Sequence, residues 1–465
     1  MKIPQSPKPF HKLYNNIGGD RFKELLDFVA ILGAKDDYLH WNEVRRRPAP
    51  EGLTHEEWWL LIKWGRLSKL RDLALRDKNG QFFKFSLPDR LLEQLHAIDR
   101  GLGSAWNLPE AVTNPATRNE YVVSSLIQES ITSSQLEGAV TTREVAKAML
   151  QSGRPPRDTS ERMILNNYRT MQRIMDLRDQ PLTPELVFEL HRRVTEETLD
   201  KPDAAGRFRR ADELIRVVDL EGTVYHEPPA AAELPERLAA MCAFANGTTP
   251  DFFIHPVIRA IILHFWLVYD HPFVDGNGRT ARALFYWAML HQGFRLFEFI
   301  SISQILLKAP SQYAVSFLHT ETDGNDLTYF IVHQAEVIQR AVLALHDYVN
   351  QKTARLKEVE KCLRGLGDLN HRQQSLLAHA FRHPDTRYTI EGHKSSNGVA
   401  YQTARTDLLN LVERGLMVTS KVGKAWVFRI VADMQEKLSG LASAPALTGT
   451  DTATLPLGLK VTPKK

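Results

Sequence analysis

The feature that most constrains this chain is an apolar run over residues 252–269, interrupted only by His255, Pro256, Arg259 and His264. Those interruptions argue against a membrane span, and a helix apolar on all sides belongs in the middle of a large core. The rest of the chain can supply one. Its 465 residues are 43% hydrophobic and 25% charged, an ordinary globular composition, and the length suggests about three domains. Wholesale disorder, collagen-like and coiled-coil classes are excluded, and no fixed-period repeat announces a solenoid. Two cysteines, Cys242 and Cys362, leave no disulfide framework and no Cys-rich zinc site, so a reducing compartment is expected. Residues 1–16 carry Pro4, Pro7 and Pro9 and no apolar stretch, so no secretory signal is expected. A net charge of +4 argues against a polyanion binder built from the whole chain, while leaving room for one basic face.

The periodicity predicts a mainly α chain in five parts. Residues 1–115 form a mostly helical extension, with helices over 20–32, 56–73 and 91–99 and a short strand at 81–86 after the Asn79-Gly80 turn signal. Trp58, Trp59 and Trp64 fall within one of these helices and read as packing. Residues 116–350 are a helix-rich core broken by one hairpin at 214–225; 351–369 are a charged helical connector. Residues 370–432 make a compact unit, and 433–465, rich in Ala, Thr, Pro and Lys, are expected to be a disordered tail.

Chemistry concentrates at 271–282, between the apolar helix and a second helix over 280–291. Gly276 and Gly278 let successive N–H groups curl into a nest, and the following helix turns its positive end toward it, which makes an anion site. Arg279 and Arg282 lie three apart in the first turn, where both reach one anion, and the guanidinium fork suits phosphate oxygens. Asp275 is placed to hold Mg²⁺, and His271 is the natural general base for a hydroxyl nucleophile. Such a set describes phosphoryl or nucleotidyl transfer. Zinc hydrolysis fits poorly: His255 and His264 are nine apart and read as core or surface histidines.

This string resembles the Fic family motif, His-x-Phe-x-Asp/Glu-Gly-Asn-Gly-Arg-x-x-Arg, at every specified position. The resemblance extends over about 119–348 and implies a Fic helical core with a β-hairpin flap. It implies a protein adenylyltransferase that moves AMP from ATP to a Ser, Thr or Tyr hydroxyl, with the target protein as its partner. His271 would take the hydroxyl proton and Asp275 would hold Mg²⁺. Gly276, Asn277, Gly278 and Thr280 would form the ATP site, with Arg279 and Arg282 on its β- and γ-phosphates. The hairpin 214–225 sits where the family carries its flap, between Gly206-Arg207-Phe208-Arg209 and His226-Glu227-Pro228-Pro229. A bacterial cytoplasm and no membrane are further implications, and a homodimer and the reverse reaction stay open.

Ser133 and Glu137 share a helix face just before Gly138. From residues alone, Glu137 is a solvated carboxylate ahead of a glycine cap. The run also resembles the family's inhibitory helix, which implies a resting state in which Glu137 pairs with Arg282 in the place of the γ-phosphate. In the C-terminal unit, the order helix, short strand, helix, helix and two strands resembles the winged helix-turn-helix domains found at the C-terminus of other Fic proteins. That implies DNA contacts from Gln402, Thr403 and Arg405 on the second long helix and from Lys421 and Lys424 on the wing. A DNA-binding regulator with a nucleotide-responsive core is therefore the rival function.

Overall fold

The computed structural model describes residues 2–32, 37–103, 115–218, 221–365, 369–382, 386–422, 425–431 and 433. It is mostly helical, with two compact units, Met1–Tyr348 and Val349–Lys465. Lys424 and the tail 434–465 lie outside the described residues.

In the first unit, α1 (Gly19–Leu32) and α2 (His55–Leu67) are followed by an antiparallel hairpin, β1 (Arg71–Arg76) and β2 (Phe82–Phe85), and by α3 (Asp89–Gly103). The expected helix over 56–73 therefore stops at Leu67. A capping box of Thr54 and Glu57 starts α2, and beyond its end Leu73 and Leu75 are buried at a spacing of two, which suits a strand. Trp59 is buried, while Trp64 packs against Phe10, Tyr14 and Phe22.

The core comprises α4 (Pro115–Leu136), α5 (Arg143–Ser152), α6 (Thr159–Leu177), α7 (Pro184–Thr195), α8 (Leu234–Ala245), α9 (Pro256–Asp270), α10 (Asn277–His291), α11 (Pro310–Thr322) and α12 (Thr328–Gly365). Side-chain caps at Thr142, Asp158 and Thr183 satisfy the first N–H groups of α5, α6 and α7. The apolar run is α9: its residues Ile258 and Ala260 to Leu263 are almost wholly inaccessible, and Pro256 occupies its first position. His255 and His264 are structural, as their positions suggested. The first caps α9 and pairs with Asp99; the second is buried against the Tyr313 hydroxyl. Among the described residues no helix is long and apolar enough to cross a membrane. The charged stretch at 351–363 is helical and continues α12, which is 38 residues long.

In the second unit, α13 (His371–Arg382), β5 (Tyr388–Thr389), α14 (Ile390–Asn397), α15 (Tyr401–Glu413), β6 (Met417–Val422) and β7 (Ala425–Ile430) follow the expected order. The three strands form one antiparallel sheet, β5-β7-β6, over a core that includes Leu377, Leu408, Leu411 and Phe428.

Candidate active site

Helix α9 ends where His271 takes φ 43°, a left-handed conformation uncommon outside glycine and asparagine. Neighbours hold it there. Its N–H donates to the Leu267 carbonyl at 3.1 Å, and Arg209 Nε donates to the His271 carbonyl at 2.8 Å. The ring donates from Nδ1 to the Val268 carbonyl at 2.9 Å. Because that partner only accepts, the neutral ring carries its proton on Nδ1 and presents Nε2 as a base. Burial pushes His271 down to about 4, so the ring is neutral near pH 7.

The loop then turns into α10. Gly276, at φ 81°, is the N-cap, and a Cβ there would strike Thr195 Cγ2. Asn277 spends its amide on the loop itself: Oδ1 accepts from the Phe273 N–H at 3.0 Å and Nδ2 donates to the Phe273 carbonyl at 2.9 Å. Thr280 donates to the Gly276 carbonyl at 2.9 Å and is buried, so its hydroxyl closes the helical turn and is not offered to a ligand. These two expected ATP contacts are structural in their side chains.

The two arginines diverge. Arg282, 2% exposed, donates from Nε to Ser133 Oγ and from Nη2 to the Ser133 carbonyl and to Glu137 Oε1, at 2.8, 2.9 and 2.8 Å. Burial raises the Glu137 carboxyl, but Arg282 beside it holds the group below the ordinary glutamate range. Arg279 instead donates to the Val194 carbonyl at 2.8 Å and to Asp275 Oδ2 at 3.1 Å, and its Nε is left without a partner. The expectation that both grip one anion therefore does not hold in this arrangement. Residues three apart still differ by about 60° around a helix, and Arg279 lies on the side of the C-terminal turn of α7.

Together these groups border a cavity of about 280 Å³ lined by His271, Asp275, Asn277, Gly278, Arg282 and Glu137, with Val217 and Tyr225 on the far side. The Glu137 carboxylate lies directly over Gly278, where an added Cβ would collide with it. An internal anion thus lies beside the glycine loop at the start of α10. Gly138 follows at φ 91°. The far wall is a hairpin of β3 (Val217–Val218) and β4 (Val224–His226), shorter than the stretch read from the sequence. Asp275 is the only cavity-lining carboxylate on the loop, and its side chain is 55% exposed. One hard oxygen donor beside an anion nest suits Mg²⁺, which takes one or two carboxylates plus substrate phosphates. No cluster of three or more metal-binding side chains occurs among the described residues.

Three contributors escaped the sequence reading. His191 accepts from the Gly206 N–H on Nδ1 and so donates from Nε2 to the Asp275 carbonyl, both at 2.9 Å. It also stacks on Phe273, with centroids 3.7 Å apart. Arg209 braces His271 and the Pro229 carbonyl. His226 donates from Nε2 to the Tyr269 carbonyl at 2.7 Å and meets Glu321 at 2.9 Å through Nδ1. Arg209 and His226 lie in the Gly206 and Pro228-Pro229 runs that flank the hairpin, whereas His191, inside α7, carries no local signal. In the second unit, Gln402, Thr403 and Arg405 are exposed at the start of α15 and Lys421 is exposed on β6.

Residues 181–289 match the Fic/DOC family model. A protein adenylyltransferase Fic from Nematostella vectensis is 28% identical over 208 residues, which is 43% of this chain and 45% of that protein. One of the same name from Drosophila grimshawi is 34% identical over 113 residues, 24% of this chain and 21% of the relative. The chain thus spans less than half the length of these curated relatives. A crystal structure of a Fic family protein from Desulfovibrio desulfuricans G20 shares the fold, with a TM-score of 0.51 at 17% identity over 75% of this chain and 97% of that one. The family match thus falls on the helices and loop that carry His271, Asp275 and Arg282, and residues 181–289 are similar to the Fic/DOC domain.

Proposed function

We propose that the protein is an adenylyltransferase that moves AMP from ATP to a Ser, Thr or Tyr hydroxyl of a target protein, and that Glu137 holds it at rest. The observation that carries this reading is the neutral His271, with Nε2 as its base, lining the same cavity as a helix N-terminus that already holds a carboxylate. His271 takes the proton from the attacking hydroxyl as oxygen bonds to the α-phosphorus. The bond from that phosphorus to the β-phosphate bridging oxygen breaks, and pyrophosphate leaves. The N–H groups at the start of α10 and the Arg282 guanidinium stabilise the departing charge. Asp275 would hold Mg²⁺, which supplies charge neutralisation at the phosphates. Release of Arg282 from Glu137 precedes productive ATP binding, because one guanidinium cannot serve both anions. Run backward, with pyrophosphate attacking the phosphorus and His271 returning the proton to the hydroxyl, the same cavity would remove AMP as ATP.

Intact mass spectrometry of the Glu137→Gly protein, incubated with Mg²⁺ and each nucleoside triphosphate in turn, tests the reading. Mass gain by one AMP group with ATP supports it; gain with another nucleotide renames the donor, and no gain with any overturns it.

A second reading concerns the second unit, which we propose is a winged helix that contacts DNA. Its support is the exposure of Gln402, Thr403 and Arg405 at one helix start, with Lys421 on the adjacent strand. A mobility shift that weakens steeply with salt, and is lost with Arg405→Ala, tests it.

A further inference from the structure

The turn of the β1–β2 hairpin reaches the cavity from outside the Fic/DOC match. Asp77 organises that turn, accepting on Oδ1 from the N–H groups of Asn79 and Gln81, both at 2.8 Å, and Gly80 takes φ 82°. Asn325 Nδ2 donates to the other Asp77 oxygen at 3.1 Å and fixes the turn against the end of α11. Two groups of Lys78 then reach residues around the site. The Lys78 N–H donates to the Tyr269 hydroxyl at 3.2 Å, and Lys78 Nζ pairs with Glu227 at 2.7 Å. Glu227 also pairs with Arg216 at 3.0 Å, so the ion pair spans both sides of the flap hairpin. Tyr269 lines the cavity two residues before His271, packs edge-on to Phe83 of β2, and offers its carbonyl to His226 at the end of β4. Arg237 ties the same corner together, donating to the Arg76 carbonyl and, at 2.9 Å, to Asp270.

We propose that the β1–β2 turn of the N-terminal extension is a positioning element of the active site. In it, Lys78 fixes the flap through Glu227 and the helix that presents His271 through Tyr269. The geometry supplies a direct reason for the extension to be part of the enzyme. The flap strands are only two and three residues long, and so short a hairpin does not hold its own angle in water. Contacts at its base must set the angle, and they include Lys78 of the β1–β2 turn on Glu227, beside the bonds of His226 to Tyr269 and Glu321. Lys78 touches no reacting atom; it acts through the groups that do.

Calling the cavity an active site rests on the proposed function. Hydrogen exchange needs no turnover, so a failed exchange result and an inactive cavity are told apart. The test compares full-length wild type, Lys78→Met and Lys78→Arg by hydrogen–deuterium exchange over 214–218 and 221–227, with 159–177 as the control for general loosening. Loss of an exposed ion pair predicts roughly two- to fivefold faster flap exchange in Lys78→Met, with wild-type exchange restored in Lys78→Arg and the control unchanged. Flap exchange equal to wild type in Lys78→Met, or equally fast in both variants, overturns the proposal. Tyr269→Phe gives an independent arm: it removes the acceptor of the Lys78 N–H and is expected to quicken exchange at 76–80, whereas no change there overturns the second contact.

Discussion

The two walls of one cavity differ in how they are held. On the motif wall, Arg282 is 2% exposed and makes three bonds to Ser133 and Glu137, and Asn277 closes its own loop with two more. On the flap wall, Val218 and Val224 are 51% and 41% exposed, and only the base is tied to the body, by His226 to the Tyr269 carbonyl and Glu321 and by the surface ion pair of Glu227 with Lys78. Buried, charge-assisted bonds fix an atom within tenths of an ångström and contribute about 1.5–3 kcal/mol each, whereas exposed pairs contribute about 0.2–1 kcal/mol. Under the proposed function, the groups that meet the nucleotide in one geometry sit on the first wall, and the surface offered to the target segment sits on the second.

Substitutions can break that contrast in order of size. His271→Ala is expected to lower AMP transfer by about 10²–10⁴-fold without loss of ATP binding, measured by label transfer and by calorimetry. Glu137→Gly removes one strong pair from the buried wall and should raise transfer roughly ten- to a hundredfold, the range of one charge-assisted bond. Gly278→Ala should destabilise the wild type by about 1–3 kcal/mol through overlap with Glu137, and much less in the Glu137→Gly background. Denaturant unfolding of the four proteins reads that coupling; equal losses in both backgrounds would show that the carboxylate does not fill the nest. Val218→Thr on the flap should change stability by under about 0.5 kcal/mol.

The pH dependence has a definite sign. His271 lies near 4 in the folded protein, below the ordinary histidine value of about 6.5, so the unfolded chain binds its proton first as pH falls. This group therefore favours unfolding increasingly between those values, and stability rises with pH across that window. As a base, it stays unprotonated over the same interval. Transfer in Glu137→Gly should hold steady from pH 8 to pH 6 and decline only as pH nears the folded value; a fall centred on the ordinary histidine value would contradict the buried, Val268-bonded ring.

Local spacing made the loop of 271–282 legible, because two glycines flanked by an acid and arginines at a helix start have few other uses. The order of elements in 370–430 could be read the same way, from turn residues and alternation. Failures came where tertiary partners decide. The bond of Arg279 Nη1 to the Val194 carbonyl, 85 positions away, is invisible to local spacing. Strand β1 looked like the end of a helix because Leu73 and Leu75 suit either period over so few residues. Lys78 carries no signal of its own; only the fold closes the 191 positions that separate it from Tyr269 of the cavity wall.

The central claim is that a resident carboxylate fills a phosphate nest beside a neutral histidine base. Label transfer from α-phosphate-labelled ATP, followed in wild type, Glu137→Gly and Glu137→Gly/His271→Ala, tests it most directly. The account predicts a slow wild type, a fast single variant and a double variant without transfer. A double variant as fast as the single one would contradict it.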